Sequence, residues 1–443
     1  MLGRQAIVVG AGMGGLTAAR ALANHFETVL VLERDALPAE AAHRPGIPQG
    51  RHVHALLAGG QQALGELFPG FEDDLVRAGA VSIRAGLDVR AERPGFDPFP
   101  QRDLGIRAYA LSRPLVELLV RRRVQQAANI ELRQGCRVQE LVTREDGRAV
   151  AGVRYVDGAN QTLTASAELV VDASGRGALT LGLLEALGQA PPEETTIGVD
   201  VNYATAEFAI PDDAPADWKG VFTFAGSEGR GGLMLPLEGG RWILTIAGRH
   251  AVKPPGDEAG FMAFTRHLRT QTIHRAIEHA ERLGEIVRFG FPASTSRQYE
   301  TLTAFPRGLL PLGDAICRFN PVYGQGMSVA AQEARALDRL LGDLAAEPDP
   351  TAGLAAAFFA RAAALIEAPW ASAAVPDFVH PQTRGKRPEN LEQMLRYGLA
   401  MAKLAARDPD VHRLTAEVQH LLKPRSVYQD PALVQRVLAV MAE

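Results

Sequence analysis

The chain has 443 residues, of which 47% are hydrophobic and 22% charged, and carries a formal net charge of −4. That length exceeds one small domain, and the composition is that of an ordinary folded protein. The slightly acidic balance excludes a nucleic-acid binder, which needs a concentrated basic face, and the one tight basic run, Arg121–Arg123, reads as the solvated side of a helix.

The two cysteines, Cys136 and Cys317, are far apart and form no metal-ligand pattern. They fit a reducing cytoplasm without a disulfide framework. No charged-then-apolar leader opens the chain, and no uninterrupted apolar run reaches about 18 residues, so neither a signal peptide nor a membrane span is expected. "LAAAFFARAAALIEAPW" contains Arg361 and Glu367 and reads as a packed helix.

The first elements are a strand ("QAIVVG"), a glycine loop opening a helix ("AGMGGLTAARALANH") and a second strand ("TVLVLE"). Gly10, Gly12 and Gly15 have G-x-G-x-x-G spacing. The first allows a tight turn, the second a close approach of backbone to pyrophosphate, and the third close packing of helix on strand. The helix start, at Met13 and Gly14, offers amide donors to phosphate. Glu33 ends the second strand about 20 residues on, where a carboxylate accepts ribose hydroxyls and disfavours a 2′-phosphate. Arg34 follows it.

A proline-rich loop then carries Arg51, His52 and His54. An arginine there can pair with pyrophosphate, and a histidine can deliver protons near neutral pH; the two histidines are the only catalytic candidates. Near 112–128, "SRPLVELLVRRRVQQA" is a helix capped by Ser112, with Pro114 in its first turn. Residues 130–171 alternate with period 2 and end in "AELVVDASG". Strand-like runs fill 195–248 and predict an antiparallel sheet. Helical patterns occupy 256–283. An α/β signal returns at 307–343, and from 350 the pattern is mostly helical.

The stretch "GDAICRFNPVYGQGMSVA", some 300 residues beyond the first glycine loop, decides the cofactor. A simple NAD-dependent dehydrogenase needs no second glycine-rich turn into a helix. A flavin does, because its ribityl chain and ring extend past the pyrophosphate. Gly313–Asp314 is placed to meet ribityl hydroxyls. Pro321, Gly324, Gly326 and Met327 start a helix whose positive end suits a ring edge that turns negative on reduction. The loop "AGSEGRGG" lies between two strands and is not a second nucleotide site. Phe222, Phe224, Met234, Leu235 and Trp242 in the antiparallel sheet are candidates for an apolar substrate pocket.

"VVGAGMGGLTAA", "LSRPLVELL", "VVDASGRGA" and "LLPLGDAICRFNPVYGQGMSVAAQEA" resemble, in order, the motifs of FAD-dependent monooxygenases of the p-hydroxybenzoate hydroxylase fold, over roughly residues 1–345. "GRHVHALLAGGQQALGELFPGFEDDLVRAGA" and "GRGALTLGLLEALG" are similar to the bacterial branch of polyether polyene epoxidases. The resemblance implies that Arg113 contacts the FAD phosphates and ribityl region, that Val138 lies by the adenine, and that Asp172 belongs to the middle motif. Ala178 departs from that motif and leaves residues contacting NADPH unassigned.

The expected fold class is α/β: a Rossmann-like FAD-binding domain (1–80, 101–190 and 284–345), an inserted antiparallel substrate domain (81–100 and 191–283), and a C-terminal helical region (346–443). Those last helices can cap the substrate tunnel, form a dimer surface or touch a membrane. The resemblance implies a monooxygenase: reduced FAD, fed by NADPH, NADH or a separate reductase, passes one oxygen of O₂ through a C4a-hydroperoxide to an apolar polyene or aromatic molecule. The alternatives are a reductase of isoprenoid double bonds and a non-catalytic flavin-fold binding protein. A halogenase is disfavoured, because none of Trp218, Trp242 and Trp370 lies in a W-x-W-x-I-P sequence.

Overall fold

A computed structural model describes every residue of the chain except 227, so that position of the expected 225–232 loop lies outside the described residues, and 230–232 belong to the strand Arg230–Leu237. Five parallel strands form the first sheet, in the order Leu309–Pro311, Leu169–Asp172, Gly3–Val9, Phe26–Leu32, Ile130–Arg133. Both faces are covered, so the central strands are continuous apolar runs with no polar alternation. Ala6 and Val8 face the helices Met13–Ala23, Arg113–Gln125 and Gly326–Leu344. Ile7 and Val9 face the three-stranded sheet Arg137–Thr143, Val150–Val156, Thr162–Ser166. Of the basic run, Arg121 is buried, donating to the carbonyl of Pro38, and only its neighbours reach solvent.

The second sheet has seven strands, in the order Cys317–Arg318, Arg282–Gln298, Glu193–Ala209, Arg241–Arg249, Arg230–Leu237, Gly220–Thr223, Val89–Glu92. It is antiparallel except where Val89–Glu92 pairs in parallel with Gly220–Thr223. The expected domain boundary at 283 falls inside the strand Arg282–Gln298, which pairs with Glu193–Ala209 along its length, so residues 284–298 stay with this sheet. Two short helices, Glu258–Arg266 and Thr272–Ile277, cover one face.

Of the C-terminal helices, Leu354–Asp377 is long and apolar enough to cross a membrane by length and composition. Its first half buries Phe358, Phe359, Ala362 and Ile366 in the main core. The helices Leu391–Arg407, Pro409–Gln419 and Pro431–Ala442 build a small core of their own, joined by Phe99.

Asp377, at the end of the long helix and 1% exposed, ties the parts together. Its carboxylate accepts from Arg249 Nη1 at 2.7 Å, Asn320 Nδ2 at 3.0 Å and the Tyr323 hydroxyl at 2.9 Å. One acid thus anchors the C-terminal helix to the substrate sheet and to the turn after Asn320. Removing one member of a buried ion pair costs about 3–5 kcal/mol, because the other charge stays buried. Asp377→Ala is expected to lower unfolding stability by about that amount in urea titration, whereas Arg361→Ala, which breaks the exposed pair with Asp343, costs about 1 kcal/mol or less. Equal effects of the two substitutions would refute the anchoring role.

Candidate functional site

The glycine loop is shaped by contacts that admit no side chain. Gly10 has φ +99°, and a Cβ on Gly15 would lie 1.8 Å from the Gly10 carbonyl oxygen, so helix and strand touch through backbone alone. A Cβ on Gly12 would meet nothing within 4 Å: the loop borders open space on that side. The helix Met13–Ala23 has no side-chain cap, which leaves its first amides available.

Beside this loop runs a buried chain of alternating charge. Glu33 Oε2 accepts from the Ala11 amide at 2.7 Å and lies 3.3 Å from Arg44 Nη1. Arg44 also binds Asp35 at 2.8 Å, the Ala11 carbonyl at 3.0 Å and Glu117 at 2.7 Å. Glu117 pairs at 3.2 Å with Arg113, whose Nε is buried without a partner. Among its carboxylates, Glu117 and Glu33 above all hold the Arg44 guanidinium above its ordinary pKa despite burial.

The second turn lies beyond Arg113. Burial pushes the Asp314 carboxyl up, while Arg318 and Arg113 pull it back. It makes no hydrogen bond among the described residues, and its Oδ1 lies 3.8 Å from where a Cβ of Gly326 would stand, at the start of the helix Gly326–Leu344. Glu333 on that helix accepts from the Gly313 amide at 2.7 Å; burial drives its carboxyl up to about 8. The helix has no side-chain cap either, and Gln325 Oε1 is buried without a partner.

These orphaned groups fit FAD. An uncapped helix start and open space at Gly12 suit a pyrophosphate, Glu33 with Arg44 an adenosine ribose, and the unpartnered Asp314 carboxylate and Arg113 Nε a ribityl chain. Buried polar groups are normally hydrogen-bonded, and Arg113 Nε and Gln325 Oε1 are buried without a partner, while the half-buried Asp314 carboxylate has no hydrogen bond among the described residues.

The turn Pro321–Gln325 also borders a cavity of about 960 Å³ that lies between the open face of the seven-stranded sheet and the C-terminal helices. Phe222, Phe224 and Leu235 line it, with Tyr203, Met394 and Tyr397. Met234 and Trp242 do not. Side chains alternate across a strand, so Met234 faces opposite to Leu235. It packs with Trp218 and Phe261 under the helices, as does Trp242, which stacks on Trp218 at 5.9 Å. The C-terminal helices border this cavity through Met394, Tyr397, His412 and His420.

His52 and His54 also border this cavity. His52 Nδ1 lies 2.7 Å from Thr205 Oγ1, which lies 2.6 Å from Thr245 Oγ1; Thr245 accepts from the Val53 amide at 2.9 Å. His54 Nδ1 donates to the His52 carbonyl at 2.9 Å. Burial first, then nearby charge, lowers the pKa to about 4 for His52 and about 3 for His54, so both rings are neutral at pH 7.

At the far corner Arg93 lies 4.7 Å from the Phe99 ring centre and 4.9 Å from that of Phe224. Its Nε is buried without a partner, and burial alone lowers its pKa. Stacking on aromatics contributes about 0.5–2 kcal/mol, whereas taking a cation out of water costs several kcal/mol.

The other expected contacts are placed as follows. Arg34 and Arg51 are exposed, and the buried arginine beside the glycine loop is Arg44, whose position in "AAHRPG" carries no motif. Asp172 is fully buried and braces its own turn: one oxygen accepts from Ser174, the other from Thr180. Val138 is half-buried in the three-stranded sheet. Glu117 was legible as an acid four residues after Arg113 on one helix; Arg93 and Asp377 had no sequence signal.

The model of the family described as FAD binding domain matches residues 4–357. Protein Rv3254 of Mycobacterium tuberculosis (strain ATCC 25618 / H37Rv) is 35% identical over 359 residues, spanning 77% of this chain and 75% of its own. The flavin-dependent brominase Bmp2 has a TM-score of 0.70 at 15% identity, over 99% of this chain and 98% of its own. The p-nitrophenol 4-monooxygenase PnpA from Pseudomonas putida DLL-E4 has a TM-score of 0.65 at 19% identity, over 96% and 100%. At such identities the likeness is one of fold, and it agrees with the α/β architecture and its antiparallel insertion. The match over most of the chain and the geometry of the two glycine turns meet in one conclusion: the chain belongs to the FAD binding domain family.

Proposed function

We propose that the protein is an FAD-dependent monooxygenase acting on an apolar polyene or aromatic small molecule, by epoxidation or hydroxylation. The observation that carries this reading is the cavity of about 960 Å³ that ends on the Pro321–Gln325 turn, where the ring of the cofactor is expected. One oxygen atom of O₂ enters the substrate and the other leaves as water, with two electrons from NADH or NADPH, directly or through a reductase. When bound, FAD supplies the redox chemistry and O₂ activation.

The side chains bind, orient and exclude water. Glu33 and Arg44 would hold the adenosine end, Arg113 and Asp314 the ribityl chain, and the helix start at Gly326 and Met327 the ring edge on which negative charge develops. The aromatic and aliphatic wall formed by Phe222, Phe224 and Leu235 orients the substrate and keeps water from the reacting centre. The neutral His52, fixed through Thr205 and Thr245, borders the chamber and is a positioned group for holding or passing a proton on the substrate side. Likeness to a brominase at 15% identity brings no halogenation to this chain.

Purified protein is expected to be yellow or to bind FAD on addition, and Asp314→Ala to weaken FAD at least tenfold by fluorescence titration. A wild-type protein that binds no FAD would sink the reading. Substrate-coupled O₂ uptake separates it from an anaerobic double-bond reductase and from a binding protein whose flavin is never reduced.

Leu235→Trp, which fills the cavity, should cut substrate-coupled O₂ uptake at least tenfold with FAD affinity unchanged. Met234→Ala, one residue away, should instead cost about 2–5 kcal/mol of stability, because its side chain is in the core. The opposite assignment of the two phenotypes would reverse the facing of this strand.

His52, His54, His380, His412 and His420 all border the cavity, with pKa values lowered by burial to about 3 for His54 and about 4 for the rest. They fold neutral and protonate readily when unfolded, so the unfolded state binds more protons below pH 6.5. Stability is therefore expected to fall as the pH is lowered from 6.5 towards 4. A thermal midpoint that stays flat over that window would show that these rings are already solvated.

A further inference from the structure

We propose that the cavity selects an apolar molecule bearing a carboxylate, and that Arg93 is the residue that receives it. The inference deepens the monooxygenase reading and rests on the cavity being its substrate chamber.

Arg93 follows the edge strand Val89–Glu92 and borders the chamber between Phe99 and Phe224. Among the described residues its guanidinium has no hydrogen bond and no ion pair, and its Nε is buried. The nearby acids are committed elsewhere. Glu92, next in the chain and on the opposite strand face, is fully buried and accepts from Thr223, Thr270, Thr272 and Arg90. Asp97 pairs with Arg269.

The rest of the corner adds positive charge. Arg102 donates to the carbonyls of Ala405 and Ala406, at the end of the helix Leu391–Arg407, and has no carboxylate partner among the described residues. His412, against Phe99 at 5.0 Å, is neutral, with a pKa lowered to about 4 by burial and then by Arg102 and Arg93. An aromatic wall that carries Arg93, with Arg102 behind it and no acid among the lining residues, is complementary to an anion. The planar guanidinium suits the two oxygens of a carboxylate.

Position in the sheet sets the ligand's shape. His52 sits over the Thr205–Thr245 pair, and three strand steps separate Arg241–Arg249 from the edge strand leading to Arg93. At about 4.8 Å per step, that is roughly 14 Å across the sheet. The preferred ligand is therefore elongated, with its carboxylate at the Arg93 corner and its oxidisable carbons at the turn Pro321–Gln325.

The test uses FAD-loaded protein and two probes, cis-parinaric acid and its methyl ester, whose polyene fluorescence rises in an apolar site. Wild type is expected to bind the acid at least tenfold more tightly than the ester. Arg93→Met, which keeps an apolar stem between the two rings, should abolish that preference while leaving ester affinity and FAD content unchanged. Arg93→Lys should keep part of it. Equal affinities in wild type, equal weakening of both probes by Arg93→Met, or binding of neither probe would overturn the proposal. The monooxygenase reading is judged separately, by FAD binding and substrate-coupled O₂ uptake, and survives any of these results.

Discussion

Arg44 is a buried cation among three carboxylates, Glu33, Asp35 and Glu117. Burying one charge in a protein is costly unless its partners are close and fixed. Here the partners come from the end of the second strand, the residues after it and the helix Arg113–Gln125. The same guanidinium donates to the Ala11 carbonyl, so the glycine loop is held from behind. Glu117 passes the alternation on to Arg113, near Asp314. The polar lining of an elongated cofactor site is thereby laid down as one connected network, with unpartnered atoms left at Arg113 and Asp314.

The substrate side obeys a different constraint. One sheet has to bury one face in a core and present the other to a chamber, and the period of two along each strand makes the division. Phe222, Leu233, Leu235, Thr245 and Ala247 face the chamber, while Val221, Met234, Trp242, Leu244 and Ile246 pack beneath. The chamber is completed by helices that share no motif with the flavin site. Their attachment through Asp377 to Asn320 and Tyr323 makes the cap and the turn at the cofactor neighbours in one hydrogen-bonded unit.

Much of the flavin half was legible in the sequence because its chemistry constrains backbone. Gly10 and Gly15 are dictated by a positive φ and by atoms that leave no room for a Cβ, and Gly313 and Gly324 by positive φ values of their own. Such requirements leave spaced glycines that can be counted. The chamber half was poorly legible because apolar residues in a strand look alike whichever way they face: Met234 and Leu235 are equivalent in composition and opposite in role. Arg44, Arg93 and Asp377 were invisible for another reason. Each works through a partner far away in the chain, at Glu117, Phe224 and Arg249 respectively, and no local spacing records that.

The division has a consequence for how specificity is carried. FAD is the same molecule in every protein that binds it, so the groups that hold it can be fixed by spacing. The proposed substrate chamber is walled by an edge strand, a sheet face and C-terminal helices whose positions relative to one another are set by tertiary contacts. A single buried charge placed in such a wall does more to discriminate between ligands than another aliphatic contact would. An apolar surface accepts many shapes with small differences in affinity, whereas a desolvated guanidinium penalises every ligand that leaves it unpaired. The edge of the seven-stranded sheet, where Arg93 stands clear of every free acid, is therefore the place where this chain departs from a generic apolar chamber.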